Sequence, residues 1–210
     1  MVHLVRYATL ALVLAFLSGC GALTAVSDAG ARMDAYTLTP VTGSEGDVVA
    51  QATGPRHLVV ELPTSAGALA TDRILIKPVP VQAQYLPDGR WSEPAPALFL
   101  SLLVASFQNV GGFRLVGRTG AGLQPDYTLI TELQDFHAEP SGAATTPLTV
   151  RVGAMMTLVR ESDRRIVASR RFKAAASVAS DDTLALVNGF DTAMQILLRD
   201  VVTWTRTQAR

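Results

Sequence analysis

The side chains able to do chemistry are few in this chain and poorly arranged for catalysis. A single thiol, Cys20, stands among 210 residues. The imidazoles belong to His3, His57 and His137, and none falls at the short spacings from which zinc sites are built. His57 and His137 are expected as surface or sheet histidines. Asp181-Asp182 is a carboxylate pair at the start of a helical pattern, where acids complement the helix dipole. There is no Gly-x-Ser-x-Gly elbow. There is no phosphate-binding loop either, and the glycines from Gly117 to Gly122 suit a turn better than a dinucleotide fingerprint. The basic pairs Arg164-Arg165 and Arg170-Arg171 lie in strand-like sequence, and alternation sends the two members of a pair to opposite faces. No catalytic residue, metal ligand or cofactor is expected, and the chain is not expected to be an enzyme.

Cys20 offers a covalent role instead. Met1–Arg6 is a weakly basic start, Tyr7–Leu17 is an uncharged, largely Ala/Leu/Val run, and Leu17-Ser18-Gly19-Cys20 follows. A run this short cannot cross a hydrocarbon core, which needs about 20 residues. A basic start, a short apolar middle and small residues at the end describe a secretory signal peptide. Leu-Ser-Gly-Cys also looks like a bacterial lipobox, whose cysteine receives diacylglycerol before the leader is cut in front of it. The expected organisation is a leader over 1–19, a lipidated N-terminus and tether over 20–34, and one domain over 35–210. Lipidation accounts for a lone thiol in an oxidising compartment, where an odd cysteine needs an explanation. One acyl chain anchors marginally, whereas several anchor for good.

Composition narrows the partners. Without Arg6, which leaves with the leader, 17 basic residues face 18 acidic ones. A body this close to neutral has no electrostatic footprint for nucleic acid. Its length of about 190 residues suits one domain with a real core.

The elements that must position any site follow from periodicity. Gly21–Arg32 is small and polar, a tether. Tyr36-Thr37-Leu38 opens ordered structure as a short strand, and Val41–Pro55 is a loop. His57–Leu62 and Arg73–Lys77 are strands, the second with Ile74 and Ile76 on one side, and Val81–Leu86 pairs back on it. Leu98, Phe99, Leu102, Leu103, Phe107 and Val110 give a helix over Glu93–Val110 one apolar face. Ser92 is placed to cap that helix and Gly111-Gly112 to end it. Phe113–Gly117 is a further strand. Asp126–His137, Leu148–Glu161 and Arg165–Ser177 form a meander, joined by a loop at 138–147 and a tight turn at Ser162-Asp163-Arg164. Val187, Phe190, Met194, Leu197, Val201 and Trp204 step by three and four, a helical seam from about Asp181 to Thr207. Gly189 inside it permits a close backbone approach. The expected fold is α+β, a two-layer sandwich of an antiparallel or mixed sheet with two helices packed on one face.

Arg90-Trp91-Ser92-Glu93-Pro94 is the most distinctive local stretch. Trp91 either staples the first helix onto the sheet or anchors a partner. Glu93 suits the helix start and could pair with Arg90.

Taken in order, four features resemble the ABC-type transport auxiliary lipoproteins, the group that includes paraquat-inducible protein C. They are the lipobox at Cys20, Tyr36-Thr37-Leu38 after the tether, Arg90-Trp91-Ser92-Glu93-Pro94 before a helix, and Asp126-Tyr127-Thr128-Leu129 opening a long strand. The closing helix, with Asn188 and Trp204, also fits. The Ala/Gly/Thr-rich connection at 138–147 is a departure from the pattern. The resemblance implies a non-catalytic accessory of an MCE-type ABC transporter that moves lipid between membranes. Its partners would be an MCE-domain protein with a permease and ATPase, its membrane contact the lipid anchor, and its own assembly a homo-oligomeric ring. Tyr36, Leu38, Arg90, Trp91 and Glu93 are the candidate partner-binding residues. Gly21, in place of an aspartate, favours the periplasmic face of the outer membrane over the inner membrane. The competing expectation is a periplasmic scaffold or activator lipoprotein for cell-wall synthesis or secretion-pore assembly.

Overall fold

The longest strand organises the molecule. In a computed structural model, residues 33–43, 54–122, 124–143 and 146–209 are described. The leader, Cys20 and the tether as far as residue 32 lie outside the described residues, as does most of the loop expected at 41–55; Asp34, assigned to the tether, opens β1. The strands are β1 (Asp34–Tyr36), β2 (His57–Val60), β3 (Thr64–Ser65), β4 (Arg73–Ile76), β5 (Gln84–Trp91), β6 (Leu115–Arg118), β7 (Tyr127–Ala143), β8 (Thr146–Arg160) and β9 (Arg165–Val178). The helices are α1 (Ala95–Val110) and α2 (Thr183–Gln208), and a 3-10 turn covers Gly67–Leu69. Asp34–Arg210 packs as one unit.

One edge of β7 pairs along its length with β8, which pairs with β9, all antiparallel. The other edge of β7 is shared by three short parallel strands in succession. β2 lies beside Tyr127–Leu129, β3 beside Glu132–Leu133, and β4 beside His137–Ala138. β6 extends the sheet beyond β2, while β5 and then β1 extend it beyond β4. The nine-stranded sheet is therefore mixed, and both helices lie on one side of it. α2 covers β8 and β9, and α1 packs over β2 and β6. The expected α+β two-layer architecture is what is found.

Alternation explains which side is covered. Tyr127, Leu129, Thr131 and Leu133 of β7 are buried toward the helices. At Gln134 the register with β8 shifts by a residue, and the phase changes, so Phe136 and Ala138 continue the buried row. Such a bulge leaves two residues opposite one and re-aims everything after it. Val150, Val152, Ala154, Met156 and Leu158 line the same side of β8. The helices bury Leu98, Phe99, Leu103 and Phe107 from α1, and Leu186, Phe190, Met194, Leu197 and Val201 from α2.

Local chemistry sets the helix ends. Asp182 caps α2, its carboxylate accepting from the N–H groups of Leu184 (2.9 Å) and Ala185 (3.2 Å). α1 begins differently from expectation: Pro94, not Ser92, occupies its cap position, without a side-chain bond. Proline there forfeits no hydrogen bond, because the first N–H groups of a helix have no internal partner. Gly111 (φ 72°) and Gly112 (φ 102°) end α1 in the left-handed region, as their pairing in the sequence suggested. Gly189 makes the close approach its position implied. A Cβ there would stand 2.5 Å from Val178 Cγ2 and 3.2 Å from Val150 Cγ2.

Two further expectations are corrected. The loop at 138–147 is largely strand: β7 runs to Ala143, β8 starts at Thr146, and Ala143 pairs with Thr146. Turn-forming residue types there are carried on a two-stranded ribbon, whose local preference is overridden by cross-strand pairing. Trp204, expected at the buried end of the seam, is half-buried and meets Phe172 edge-on at 5.4 Å.

Candidate functional site

The stretch around Trp91 forms part of the core. Trp91 is 0% exposed, its ring 5.2 Å from Phe136 of β7 and 5.1 Å from Phe190 of α2. Phe136 and Phe190 are themselves 4.9 Å apart, closing a three-ring cluster between sheet and helix. Tilted and edge-on rings at these separations add roughly 0.5–1.5 kcal/mol per pair beyond their area. Trp91 thus joins the sheet to α2 rather than to the first helix, which the sequence named, and its ring is buried. Leu38 is likewise buried.

The other three candidates are partly accessible. Tyr36 closes β1 and packs against the rim of the core. Arg90 pairs with Asp72 at 3.1 Å rather than with Glu93. Glu93 accepts from the Ser101 hydroxyl, which also accepts from Arg118. Register explains the Arg90 partner: the strand turns out of the sheet after Trp91, whose N–H donates to the Asp72 carbonyl.

After β1 the chain runs as a strap across both helices. Thr39 donates through its N–H and its hydroxyl to the Asp191 carboxylate of α2, at 2.7 and 2.9 Å. Gln195 donates to the carbonyls of Thr39 and Pro40. On α1, the buried Ser106 hydroxyl accepts from the Val41 N–H at 3.0 Å, and Asn109 donates to the Val41 carbonyl. The segment that leads back toward Cys20 is thus fastened to two helices by side chains of opposite hydrogen-bonding sense.

A second constellation lies on the side of the sheet that the helices leave bare. Beyond the bulge, Asp135, His137 and Glu139 share that face of β7. They stand opposite Gly153, Arg151 and Thr149 of β8, with Lys173 of β9 next to Gly153. Asp135, His137, Glu139, Arg151 and Lys173, together with Lys77 and Pro80, line a groove of about 410 Å³. His137 is only 3% exposed although it belongs to the open face. Its Nε2 lies 3.3 Å from Glu139 Oε2, and its Nδ1 is buried with no hydrogen-bond partner among the described residues. Burial holds the imidazole below its ordinary pKa, and the charge of Lys77 adds to the effect. The Glu139 carboxyl is held below the carboxylate range chiefly by its hydrogen bond from Arg151.

Asp135, His137 and Glu139 step by two along one face of a strand, about 6.6 Å per step. Among the described residues no group of three such side chains is placed to hold a metal. His57 sits near the other end of β7, about 30 Å away along the strand, its Nδ1 3.2 Å from the Gln124 carbonyl. Arg170 stacks over Phe172 on the helix side while Arg171 donates to Gln134 on the open side, the separation that alternation required. Sequence reasoning did not find Lys77, Asp135, Glu139, Arg151 and Lys173 as neighbours. The available signal was the polar alternation Asp135-x-His137-x-Glu139, hidden by treating 138–147 as a loop.

Comparison with known proteins gives a consistent picture. The family model for the ABC-type transport auxiliary lipoprotein component matches residues 36–202. An uncharacterized protein of Bradyrhizobium diazoefficiens is 27% identical over 148 residues, covering 70% of this chain. The match spans 39% of that relative's length. Among solved structures, a DUF330-family protein of Xanthomonas campestris superposes with a TM-score of 0.71 at 24% identity, over 83% of this chain and 96% of the other. Another uncharacterized protein gives a TM-score of 0.62 at 16% identity, over 83% and 99%. At these identities the two structures speak to the fold.

Proposed function

Because the chain belongs to the ABC-type transport auxiliary lipoprotein component family, we propose that it is a non-catalytic accessory subunit of an MCE-type ABC transporter for intermembrane lipid transport. It tethers the periplasmic assembly to a membrane through lipid on Cys20. The observation that carries this reading is the family match over residues 36–202, together with Leu17-Ser18-Gly19-Cys20 upstream of it. No helix among the described residues is long and apolar enough to cross a membrane, so an anchor of this kind would give the domain its attachment. Gly21 supports the periplasmic face of the outer membrane.

The partners in this reading are an MCE-domain protein and its permease and ATPase. A ring of identical subunits would arise from head-to-tail contacts that close under rotation. Tyr36, Arg90 and Glu93 are accessible enough to contribute to partner contacts, and they cluster where β1 and β5 meet the start of α1. The strap supports the tethering role, since Asp191, Gln195, Ser106 and Asn109 hold the anchor-proximal chain to the helices.

Cell fractionation tests the reading. Cys20→Ala is expected to leave a folded domain that no longer sediments with membranes, and deletion of the gene is expected to disturb outer-membrane lipid asymmetry. A Cys20→Ala protein that stays fully membrane-bound, with unaltered lipid asymmetry on deletion, would contradict it.

A further inference from the structure

The groove on the open sheet face holds more charge than its own pairings consume. Glu139 is engaged by Arg151 and His137. Lys77 and Lys173 also line the groove, and neither has a carboxylate within 4 Å among the described ion pairs. They come from different parts of the chain, Lys77 from the turn just after β4 and Lys173 from β9, so the sheet rather than local sequence brings them to one cavity. Gly153 carries no side chain in the row between Asp135 and Lys173, and the Asp135 carboxylate leans over it. A Cβ at Gly153 would come within 2.7 Å of Asp135 Oδ2. Glycine inside a strand marks a close approach, and here the approaching group is Asp135, which the glycine lets lie flat at the edge of the groove. His137, nearly wholly buried in the same cavity, has an Nδ1 without a hydrogen-bond partner among the described residues.

We propose that this groove binds a phosphate ester, with Lys77 and Lys173 taking the phosphate oxygens and Asp135 accepting from a hydroxyl or ammonium group of the same ligand. An ammonium is a compact point charge with three donors, suited to a tetrahedral anion approached from two sides. Arg151, already fixed by Glu139, adds a positive wall without being free to leave. The cavity of about 410 Å³ lies within the range of small-ligand sites, roughly 300–1,000 Å³, and exceeds what a bare phosphate would fill. Asp135 on the same row disfavours a ligand that is purely anionic and favours one carrying a donor beside its phosphate. The same chemistry occurs in a soluble phosphomonoester and in the phosphodiester of a lipid headgroup. This assignment stands apart from the transporter reading, since the groove and its charges do not depend on the partner.

Isothermal titration of the full chain in a non-ionic detergent tests it. The probes are sn-glycerol 3-phosphate, sn-glycero-3-phosphoethanolamine and glycerol. Both phosphate esters are expected to bind saturably at one site per chain, and glycerol not at all. The double variant Lys77→Gln/Lys173→Gln is expected to lose at least about tenfold in affinity, the scale of one charge-assisted hydrogen bond. Lys77→Arg/Lys173→Arg should restore binding, and Arg164→Gln, in the exposed β8–β9 turn, should leave it unchanged. Tighter binding of the ethanolamine diester would identify a lipid headgroup as the source, and tighter binding of the monoester a soluble metabolite; either supports the phosphate site. Absence of saturable binding by both esters would overturn it. So would a glutamine variant that binds as the parent does while melting at the parent's temperature.

Discussion

The two faces of the β7–β8–β9 ribbon are made from the same strands and do opposite work. On the helix side, Leu133, Phe136, Val152, Ala154 and Phe172 are buried in one continuous apolar layer. On the open side, a residue away along each strand, stand Asp135, His137, Arg151 and Lys173. The bulge at Gln134 lets one long strand serve both, because it restores Phe136 to the core and turns His137 to the groove. Stability is thereby concentrated on one face, and the other is left able to vary its chemistry at little cost to folding.

Substitutions on the two faces should therefore differ sharply. Trp91→Ala, which empties the centre of the three-ring cluster, is expected to cost roughly 3–5 kcal/mol in denaturant unfolding. Trp91→Phe should cost far less, since the buried indole N–H has no acceptor to lose. Gly189→Ala drives a methyl against Val178 and Val150, and overpacking outweighs the better helix propensity, for a net loss of about 1–2 kcal/mol. Asp182→Ala removes the cap of α2 and should cost about 1 kcal/mol. Thr157→Val on the open face should stay within about 0.5 kcal/mol of the parent. A loss at Thr157 as large as that at Gly189 would break the asymmetry. The smallest effect is one of pH. His137 has a folded pKa below its ordinary 6.5, so above that pH both states carry a neutral ring and nothing changes. Below it the unfolded chain takes up the proton more readily, and stability falls as pH decreases. His137→Gln should flatten that decline in melting temperature, and an unchanged pH profile would remove the buried neutral imidazole from the account.

The layers of this fold were legible because the apolar spacing is regular. The seam from Val187 to Val201 and the run from Leu98 to Phe107 each specify one buried helix face, and both are found buried. The groove was not legible, for two physical reasons. Its residues come from three strands and the turn after β4, and only the sheet's pairing brings Lys77 and Lys173 to one cavity. The phase change at Gln134 also breaks the alternation by which a strand face is read. Trp91 carried the converse difficulty: residue type is compatible with a core staple and with an exposed anchor, and only the positions of Phe136 and Phe190 decide between them.

The central claim, that this lipoprotein serves an MCE-type transporter, is tested most directly by purifying the tagged native protein after mild crosslinking in cells. The account predicts that an MCE-domain protein is recovered with it, and that Arg90→Glu/Glu93→Arg reduces the yield while the protein remains folded. Recovery of cell-wall synthases or secretion-pore subunits in place of any MCE-domain protein would contradict it.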